Sequence, residues 1–553
     1  MPNSLARTSR LRRWLAPYLT PDVVPASARQ RATLFPFFVH IFSLVLIGVV
    51  YVVLTRGQWF FYDEWTFLDP ANTWAILAPH NGHLSLALVV ITSVIKSVVG
   101  LHAYWPYLAV TIAIHLVIVH LVWRAMNRAR VLPSITLLGS LVFGLLAVGA
   151  ENTLWAFQTG FIAPIAFGMV AYELIDRQHP CTRRVVIAAV LLGVAILFSS
   201  TALPFFAVGV LLLLVRRGWL TALVVALAIG IPYLVWRVLF VRGSQPTDSF
   251  AAHSIGDYLA RVPTFLVTSL VNSLASVGPG PALAAAVLVA FTIWSATDIK
   301  GRKAREIPVA YYLLLVGLVF AILVAVSRLR LGEDGSAGRY VYLYVAVSAP
   351  AFGMALTWLV HNSRVAMAGA AVGLAVMVAF NAVNLSINAK SQASIEQFTE
   401  QSVSAAIQLA KAGSLRPTDV PMTVLAPSLT VREIVALADS GKLTQGPFGE
   451  AAQLSDLVNV NLKTDPLPGS PPLTDCTPGD QGFHLDPGPQ HQVELRSSKP
   501  ETVGITVVQA GVSSAYTQLQ LHPGVQQLIG FDDATIVVNE PTNGSVCIPQ
   551  FVG

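Results

Sequence analysis

The sequence predicts a polytopic α-helical membrane protein with about 11 transmembrane helices and a C-terminal extracytoplasmic α+β domain. Hydrophobic residues make up 54% of its 553 residues and charged residues only 12%, about half the charged fraction of a soluble globular domain. Apolar runs long enough to cross a bilayer recur up to residue 385. After that point the chain becomes polar and rich in proline.

The first apolar run, residues 34–54, sets the predicted orientation. Its 21 residues are enough to cross the hydrocarbon core at about 1.5 Å per residue. It begins too late and is too long to be the apolar part of a cleaved signal peptide. The segment before it carries six arginines and one aspartate, so the positive-inside rule predicts a cytoplasmic N-terminus.

Hydropathy predicts ten further spans, and the basic clusters between them fall on the side that this count places in the cytoplasm. An odd number of spans leaves the C-terminus outside. The predicted spans are 34–54, 106–124, 135–150, 155–175, 185–199, 203–215, 219–240, 281–297, 308–327, 340–361 and 365–385. The predicted parts are a basic cytoplasmic segment at 1–33, a transmembrane domain at 34–385 and an extracytoplasmic domain at 386–553.

Two apolar stretches, 84–99 and 263–277, are left out of this count, because including either alone would put a basic cluster on the wrong face. The stretch 84–99 is short for a span and carries Lys96. It is interpreted as a helix that lies in the outer membrane interface or dips into it, and a short tilted span is the alternative.

Residues 386–553 carry 8 Lys and Arg against 16 Asp and Glu, a net charge of −8, whereas the whole chain is at +6. This asymmetry places the tail opposite the basic loops. The run SIEQFTEQSVSAAIQLAKAG predicts an amphipathic connecting helix. Beyond Pro466, runs such as TVGITVVQ and TIVVNE, separated by Gly, Pro and Asn, predict a small β-sandwich.

The chain has three cysteines. Cys476 and Cys547 both fall in the predicted external part, where a disulfide between them would persist and would link its last strands. Cys181 falls in a cytoplasmic loop and is expected to be a free thiol. No pair has the C-x-x-C spacing, which argues against a zinc site built on cysteines.

No phosphate-binding glycine motif is present, so the chain has no nucleotide-binding signature. Its positive charge is confined to inner loops and indicates no nucleic-acid partner. Four distant segments instead place acids, imidazoles, amides and guanidinium groups on one predicted outer surface. These residues are Asp63, Glu64, His80, His83, Glu151, Asn152, Gln158, Arg328, Arg330, Arg339 and Tyr340.

Each of these residues also has an ordinary explanation. A single acid often solvates a helix end. Arg328 and Arg339 could pair with acids in their own loop, although exposed pairs contribute only about 0–1 kcal/mol. On a helix, His80 and His83 would share a face and could hold a metal, but the pair lacks the third ligand that zinc needs. Asp63 could supply that ligand if its loop folds back.

The order of these features resembles the GT-C glycosyltransferases. The resemblance rests on an acidic pair after the first span, a membrane-surface helix, about ten more spans and an external C-terminal domain. More closely, HNGH, AENTLWAFQTGF and the later S-R…R-Y look like a poorly characterised bacterial branch of that family. Such relatives tend to read HNEHR, so Gly82 and Leu84 replace a Glu and an Arg here. The resemblance covers roughly residues 30–385.

The resemblance implies an inverting transferase in the bacterial plasma membrane. It would move a sugar from a polyprenyl-phosphate donor to a cell-envelope glycan or lipid acceptor on the outer face. Asp63 is expected to be the general base that takes the acceptor's proton. Tyr62, Trp65 and the membrane surface would partly desolvate Asp63 and make it a better base. Glu64 would then orient the loop, pair with an arginine, or join His80 and His83 around a metal.

Arg328 and Arg339 are expected to bind the lipid phosphate, because arginine's planar fork fits phosphate oxygens, with Tyr340 as a hydrogen-bond partner. Arg330, in the same turn, is not included in this expected set. His80, His83, Glu151, Asn152 and Gln158 complete the expected substrate-binding set. No cofactor is required by this chemistry, and a divalent metal near Asp63, Glu64, His80 and His83 is the alternative.

Two other functions remain open at this point. The first is a flippase, transporter or binder of lipid-linked glycans without catalysis. Few charges lie deep within the predicted spans, whereas transport routes usually carry ionisable groups near the middle of the membrane. The second is a ligase or polymerase that moves a preassembled glycan from a diphosphate carrier.

Overall fold

The computed structural model describes residues 26–68, 76–176, 182–241, 255–278, 280–328, 335–423, 425–443, 446, 448–461 and, beyond these, the strands of the C-terminal region with the link 514–515. The described chain is predominantly helical, as the composition predicted. It divides into two compact units. The first comprises Met1–Arg56, Ile76–Ile91 and Tyr107–Ser391, and the second comprises Gly57–Ala75, Thr92–Pro106 and Gln392–Gly553.

The helices that begin in the first unit, and the hairpin between them, are listed here in chain order. They are α1 Ala26–Leu54, β1 Pro79–His80, β2 His83–Leu84, α3 Leu86–Val99, α5 Pro133–Gly144, α6 Ala150–Leu154, α7 Thr159–Ile175, α8 Thr182–Phe198, α9 Ala202–Arg217, α10 Trp219–Phe240, α11 Ile255–Ser276, α12 Pro281–Lys300, α13 Val309–Arg328, α14 Gly338–Val360 and α15 Arg364–Lys411. Two more begin in the second unit: α2 Glu64–Leu68 and α4 Trp105–Arg128.

Nine helical segments of the described chain are long and apolar enough to cross a membrane, which indicates a membrane protein. Two of the eleven predicted spans, 185–199 and 203–215, are the apolar helices α8 and α9, which have only 17 and 16 residues. The count of eleven therefore stays a prediction. The nine segments are Pro36–Leu54, Trp105–Arg128, Pro133–Leu154, Ala156–Ile175, Trp219–Phe240, Pro281–Lys300, Val309–Arg328, Gly338–Val360 and Arg364–Lys411.

Several boundaries differ from those expected. The first helix begins at Ala26 rather than residue 34 and carries Pro36 inside it. The predicted interfacial stretch 84–99 forms the 14-residue helix α3, too short to cross the hydrocarbon core untilted. The stretch 263–277 lies in the 22-residue helix α11, which is outside the nine spans.

The core of the first unit holds large buried side chains, including Phe143, Phe205, Tyr172 and Tyr342. The hydroxyl of Tyr172 donates to the backbone carbonyl of Phe205 at 2.8 Å, so it brings no unpaired polar group into the core. By contrast, α1, α10 and α12 expose most of their apolar side chains. Such exposure suits contact with lipid tails, which are as apolar as these side chains.

A break separates α5 from α7 and creates the turn that was predicted at GAENTLWAFQTG. The chain passes through a 3₁₀ turn at Ala147–Gly149, the short helix α6, an extended Trp155 and a second 3₁₀ turn at Ala156–Gln158. Trp155 adopts φ −122° and ψ 117°.

The broken backbone finds its hydrogen-bond partners in side chains of α15 and α4. Asn381 Oδ1 accepts from the N–H of Ala147 at 3.0 Å, and Asn388 Nδ2 donates to the same residue's carbonyl at 2.9 Å. His115 Nε2 lies 3.0 Å from the carbonyl of Gly144, where α5 ends. These contacts matter because an unpaired backbone group in a membrane protein's interior costs several kcal/mol.

Two glycines let α14 approach this break closely. A Cβ added at Gly338 would overlap the carbonyl oxygen of Val148, and one added at Gly149 would lie 2.8 Å from the ring of Tyr342. Only a residue without a side chain fits at either position.

The second unit contains the end of α15 and two more helices, α16 Val431–Asp439 and α17 Glu450–Asn461. The 48 residues of α15 extend over roughly 72 Å at about 1.5 Å per residue, more than twice the thickness of a hydrocarbon core. Its apolar part corresponds to the last predicted span, and the predicted connecting helix is its polar continuation. The helix α16 begins with a capping box between Thr430 and Glu433.

The strands of the second unit are β3 Lys463–Pro466, β4 Cys476–Pro478, β5 Phe483–Leu485, β6 Arg496–Ser497, β7 Glu501–Gln509, β8 Val512–Ser513, β9 Thr517–Leu521, β10 Val525–Leu528, β11 Ala534–Asn539 and β12 Val546–Pro549. They form antiparallel sheets ordered β5-β11-β7-β8 with β9 on β7, β4-β12-β6, and β10-β3. The central strand β7 buries Ile505 and Val507. The β-sandwich itself stays a prediction.

The strands that carry Cys476 and Cys547 are neighbours. In the register of β4 and β12, Cys476 lies opposite Pro549 and Cys547 lies opposite Pro478. The cysteines are therefore two positions apart on adjacent strands, and such diagonal neighbours lie about 7–8 Å apart. The predicted disulfide stays a prediction.

The close approach at Gly338 gives a test of this packing. Replacing Gly338 with Ala should lower stability by about 1–3 kcal/mol, because the new methyl group overlaps a backbone oxygen that cannot move freely. Gly369→Ala is the matched control, since an added Cβ there meets nothing within 4 Å. Thermal unfolding of the purified variants in detergent measures both. Equal melting temperatures for the two variants would contradict the described packing.

Candidate functional site

The predicted catalytic acids lie in the second unit, on the segment that we call the acidic loop, residues 57–68. Glu64 begins the short helix α2, and only 6% of it is exposed. Its Oε2 accepts from the backbone N–H of Phe61 at 2.9 Å, and its Oε1 accepts from the hydroxyl of Tyr104 at 2.9 Å. Both carboxylate oxygens of Glu64 are thus engaged in holding the loop.

Asp63, the other member of the pair, is half-buried and follows a strained residue. Tyr62 adopts φ 52°, a left-handed conformation that costs a residue with a side chain on the order of 1 kcal/mol. The N–H of Tyr62 donates to the carbonyl of Leu425 at 2.8 Å, which helps to hold this conformation. Such strain concentrates at functional sites and persists only where the surrounding structure enforces it.

An aromatic cluster supports the acidic loop from below. The rings of Trp59, Phe60, Trp65 and Tyr104 are buried and pack edge-on or tilted, with centroids 5.0–5.8 Å apart. Contacts of this kind stabilise beyond the burial of area alone. The acidic loop is therefore held in place by packed aromatic rings.

In the first unit, PHNGHLS forms a tight hairpin instead of the helical turn considered for its two histidines. His80 pairs directly with His83. The two turn residues, Asn81 at φ 48° and Gly82 at φ 76°, both have positive φ. This is the geometry of a type I′ turn, for which Asn-Gly is the preferred sequence. Gly82 therefore fits a backbone position that favours glycine. The proteins that this chain resembles tend to have Glu at this position.

The hairpin places His83 in a positively charged and largely buried environment. Its Nδ1 makes a short hydrogen bond with the hydroxyl of Ser200. Burial, followed by the charges of Arg328, His80 and Arg237, lowers the pKa of His83 to about 4. His83 is therefore neutral at physiological pH, and the predicted phosphate ligand Arg328 lies near it.

A second polar group forms where the break between α5 and α7 meets α14. Arg339 donates to Glu151 Oε1 at 3.0 Å, and Gln158 Nε2 donates to the same oxygen at 3.2 Å. The guanidinium of Arg339 also lies 5.1 Å from the ring centre of Tyr340, within cation–π range. The ring of Phe157, next to Gln158, lies 5.5 Å from that of His80. This polar group therefore adjoins the hairpin.

The structure therefore brings most of the predicted binding residues together in the first unit. His80, His83 and Arg328 form one part of this polar cluster, and Glu151, Gln158 and Arg339 form the other. Arg339 pairs with Glu151 from a distant helix, although an acid in its own loop was the ordinary expectation.

Burial limits what some of these residues can touch. The side chain of Asn152 is completely buried, so it does not reach the surface on which it was predicted. Gln158 and Tyr340 are 3% and 4% exposed. Gln158 donates to Glu151, and the ring of Tyr340 lies against the guanidinium of Arg339. The side chains of Glu151 and Arg339 are each about one-third exposed.

Sequence reasoning missed several residues that hold these groups. Glu396 in α15 accepts from the N–H of Trp59 at 3.0 Å, and Tyr104 binds Glu64. Ser200 and Arg237 surround His83. Their sequence neighbourhoods carry no motif. The Asn-Gly pair at 81–82 was a readable signal for the hairpin.

Arg330, Cys181 and the acids at 333–334 lie outside the described residues. Within the described part of the chain, no three His, Cys, Asp or Glu side chains are grouped so that they could hold a metal ion. Asp63 and Glu64 belong to the second unit, and His80 and His83 belong to the first.

No protein-family model, no curated protein and no solved structure matches this chain.

The low pKa of His83 gives a pH prediction for the first unit. The unfolded chain binds a proton at His83 below pH about 6.5, whereas the folded chain binds it only below about 4. Stability at this site is therefore complete above pH 6.5 and is lost as the pH falls towards 4. Between pH 7 and 4.5, wild type should lose more thermal stability than His83→Gln. His361→Gln, a change at an exposed histidine, is the control and should behave like wild type. A loss in His83→Gln as large as in wild type would contradict the assigned environment.

Proposed function

We propose that this chain is an inverting glycosyltransferase of the GT-C type. It moves a sugar from a polyprenyl-phosphate donor to a glycan or lipid acceptor of the cell envelope, on the outer face of the bacterial plasma membrane. In this proposal the C-terminal domain is extracytoplasmic and binds or orients the acceptor. Among the residues that the structure describes, nine apolar helical segments support the membrane location, and the exposed faces of α1, α10 and α12 suit lipid contact.

The observation that carries the proposal is the difference in burial and hydrogen bonding between the two acids of the acidic loop. Glu64 is buried and uses both oxygens to hold Phe61 and Tyr104. Asp63 is more exposed and follows the strained Tyr62. This arrangement supports a positioning role for Glu64 and the general-base role for Asp63, which would take the proton of the attacking acceptor hydroxyl.

The polar cluster of the first unit supports the second part of the proposal, which is stabilisation of the departing lipid phosphate. The departing lipid phosphate carries more negative charge in the transition state than in the bound donor, so fixed cations near it lower the barrier. Arg339 is held by Glu151 and by the ring of Tyr340. Arg328 lies close enough to lower the pKa of a neutral His83. Fixed guanidinium groups of this kind lose little freedom on binding a phosphate.

The first prediction concerns the acids. Asp63→Asn should keep the fold and donor binding while lowering turnover by about 10²–10⁴-fold, the usual effect of losing a general base. Glu64→Gln should lower turnover less. Glu64→Gln should also reduce thermal stability, because the new amide N–H groups would face the N–H of Phe61 or the hydroxyl of Tyr104, which now donate to Glu64. The assay follows release of polyprenyl phosphate from radiolabelled polyprenyl-phosphate hexoses and pentoses, with protein reconstituted in liposomes.

The outcomes separate the alternatives. Full activity in both variants would remove the acidic loop from the catalytic site, and an inactive Glu64→Gln beside a fully active Asp63→Asn would reverse the assignment. Passage of intact labelled donor across the liposome without bond cleavage would identify a transporter. Turnover of diphosphate-linked glycans alone would identify a ligase or polymerase.

The second prediction concerns the arginines. Replacing Arg328 or Arg339 with Gln should raise the KM for the lipid donor and lower kcat, because phosphate charge increases as the bond breaks. Arg302→Gln is a matched control, since Arg302 also forms an exposed ion pair, with Asp298 at 2.9 Å. Unchanged donor kinetics in the double variant Arg328→Gln/Arg339→Gln would reduce both residues to structural partners.

A further inference from the structure

The backbone of the acidic loop is held at three points just before Asp63, two of them by buried carboxyl groups. The N–H of Trp59 donates to Glu396 Oε2 at 3.0 Å, and the N–H of Phe61 donates to Glu64 Oε2 at 2.9 Å. The N–H of Tyr62 donates to the carbonyl of Leu425 at 2.8 Å. These bonds fix the chain immediately before Asp63. Two of the three acceptors are carboxyl groups.

Glu396 is the member of this set that comes from far along the chain. It is completely buried, and its second oxygen accepts from Gln392 Nε2 at 2.8 Å. The next residue, Gln397, donates to the carbonyl of Gly57 at 3.1 Å. One turn of α15 therefore holds the start of the acidic loop at two points. Glu396 lies 11 residues beyond the last predicted span, roughly 16 Å past its apolar end at about 1.5 Å per residue.

The charge state of this carboxyl group is unusual. Burial raises the pKa of Glu396 to about 8; the bonds from Gln392 and Trp59 act in the opposite direction, and the nearby charge of Glu64 adds a smaller upward effect. Three further titratable groups lie on the segments packed here. Tyr104 donates to Glu64, Lys96 donates to the carbonyl of Leu68, and Glu400 lies one turn further along α15. At neutral pH the buried pair therefore holds Glu396 in its uncharged form.

We propose that Glu396 is a positioning residue, which together with Glu64 holds the acidic loop in the strained conformation that presents Asp63, and that a second negative charge on this pair releases the loop. The catalytic consequence rests on the proposed function, whereas the release of the loop does not. Two buried carboxylates repel each other, and an uncompensated buried charge is strongly destabilising.

The sign of the pH effect follows from this arrangement. The folded chain holds the Glu396 proton more tightly than the unfolded chain, whose glutamate pKa is about 4.5. The resulting stability is complete below pH 4.5 and is lost as the pH rises through about 8. The loop should therefore be held firmly at pH 6.5 and loosened at pH 9.

Hydrogen–deuterium exchange of the full-length protein in detergent tests this, with rates corrected for the intrinsic pH dependence of exchange. In wild type, the amides of residues 59–62 should exchange at least about tenfold faster at pH 9 than at pH 6.5, a tenfold change being about 1.4 kcal/mol. In Glu396→Gln, a neutral side chain of the same shape, protection should persist at pH 9. Glu400→Gln is the matched control on the same helix and should behave like wild type.

Two further readouts decide between outcomes. Glu396→Ala removes the acceptor, so its loop should exchange rapidly at both pH values. If it does not fold, the comparison of wild type with Glu396→Gln carries the test. Equal protection of the wild-type loop at pH 6.5 and pH 9 would overturn the proposal. In the transfer assay, wild-type kcat should fall above pH 8 and Glu396→Gln should remove that fall.

These readouts also keep the two proposals distinguishable. Release of the loop at high pH without any measurable sugar transfer would support the role of Glu396 and reject the proposed function. Transfer that depends on Asp63 but has the same pH profile in wild type and Glu396→Gln would support the proposed function and reject the role of Glu396.

Discussion

The first unit depends on satisfying a broken backbone within a segment that has the length and composition of a membrane span. Between Gly144 and Gly149 the helical hydrogen-bond ladder stops, and Asn381 and Asn388 supply both partners for Ala147. Hydrocarbon offers no water to replace them. Because these side chains satisfy the broken backbone, the chain can turn at Trp155, and Gln158 and Arg339 can both donate to Glu151.

The second unit meets the same requirement with carboxyl groups. A loop whose backbone adopts a left-handed residue at Tyr62 cannot form helical bonds there, and buried carboxyl groups accept its N–H groups instead. Carboxylates make strong acceptors, but two of them in one buried region raise the cost of charging both. Rigid support for Asp63 and sensitivity to protonation therefore have one physical source.

The chemical assignment of the pair DE follows from burial rather than from sequence position. Adjacent residues face different directions on any regular backbone, so they rarely share one role. Here Glu64 faces the aromatic cluster and Tyr104, whereas Asp63 keeps more contact with solvent. A proton acceptor must reach its substrate, which favours the more accessible acid for chemistry and the buried one for support.

Composition and hydropathy by themselves determined the membrane class, because apolar length is a property of the chain alone. They also predicted a turn at GAENTLWAFQTG and showed the polar change of composition after residue 385. Hydropathy did not determine the span count, since α8 and α9 fall short of a span's length. Nor did it show that α15 continues unbroken from the last span to Lys411.

Only the tertiary structure decided which polar residues meet. Glu151 and Arg339 are 188 positions apart, and Trp59 and Glu396 are 337 apart. Their pairing depends on which helix faces which, and no local pattern encodes that. The hairpin at His80 and His83 was readable from Asn-Gly, but the burial of His83 beside Ser200 and Arg328 was not. Periodicity fixes each element locally, whereas hydrogen bonding between distant elements fixes the site.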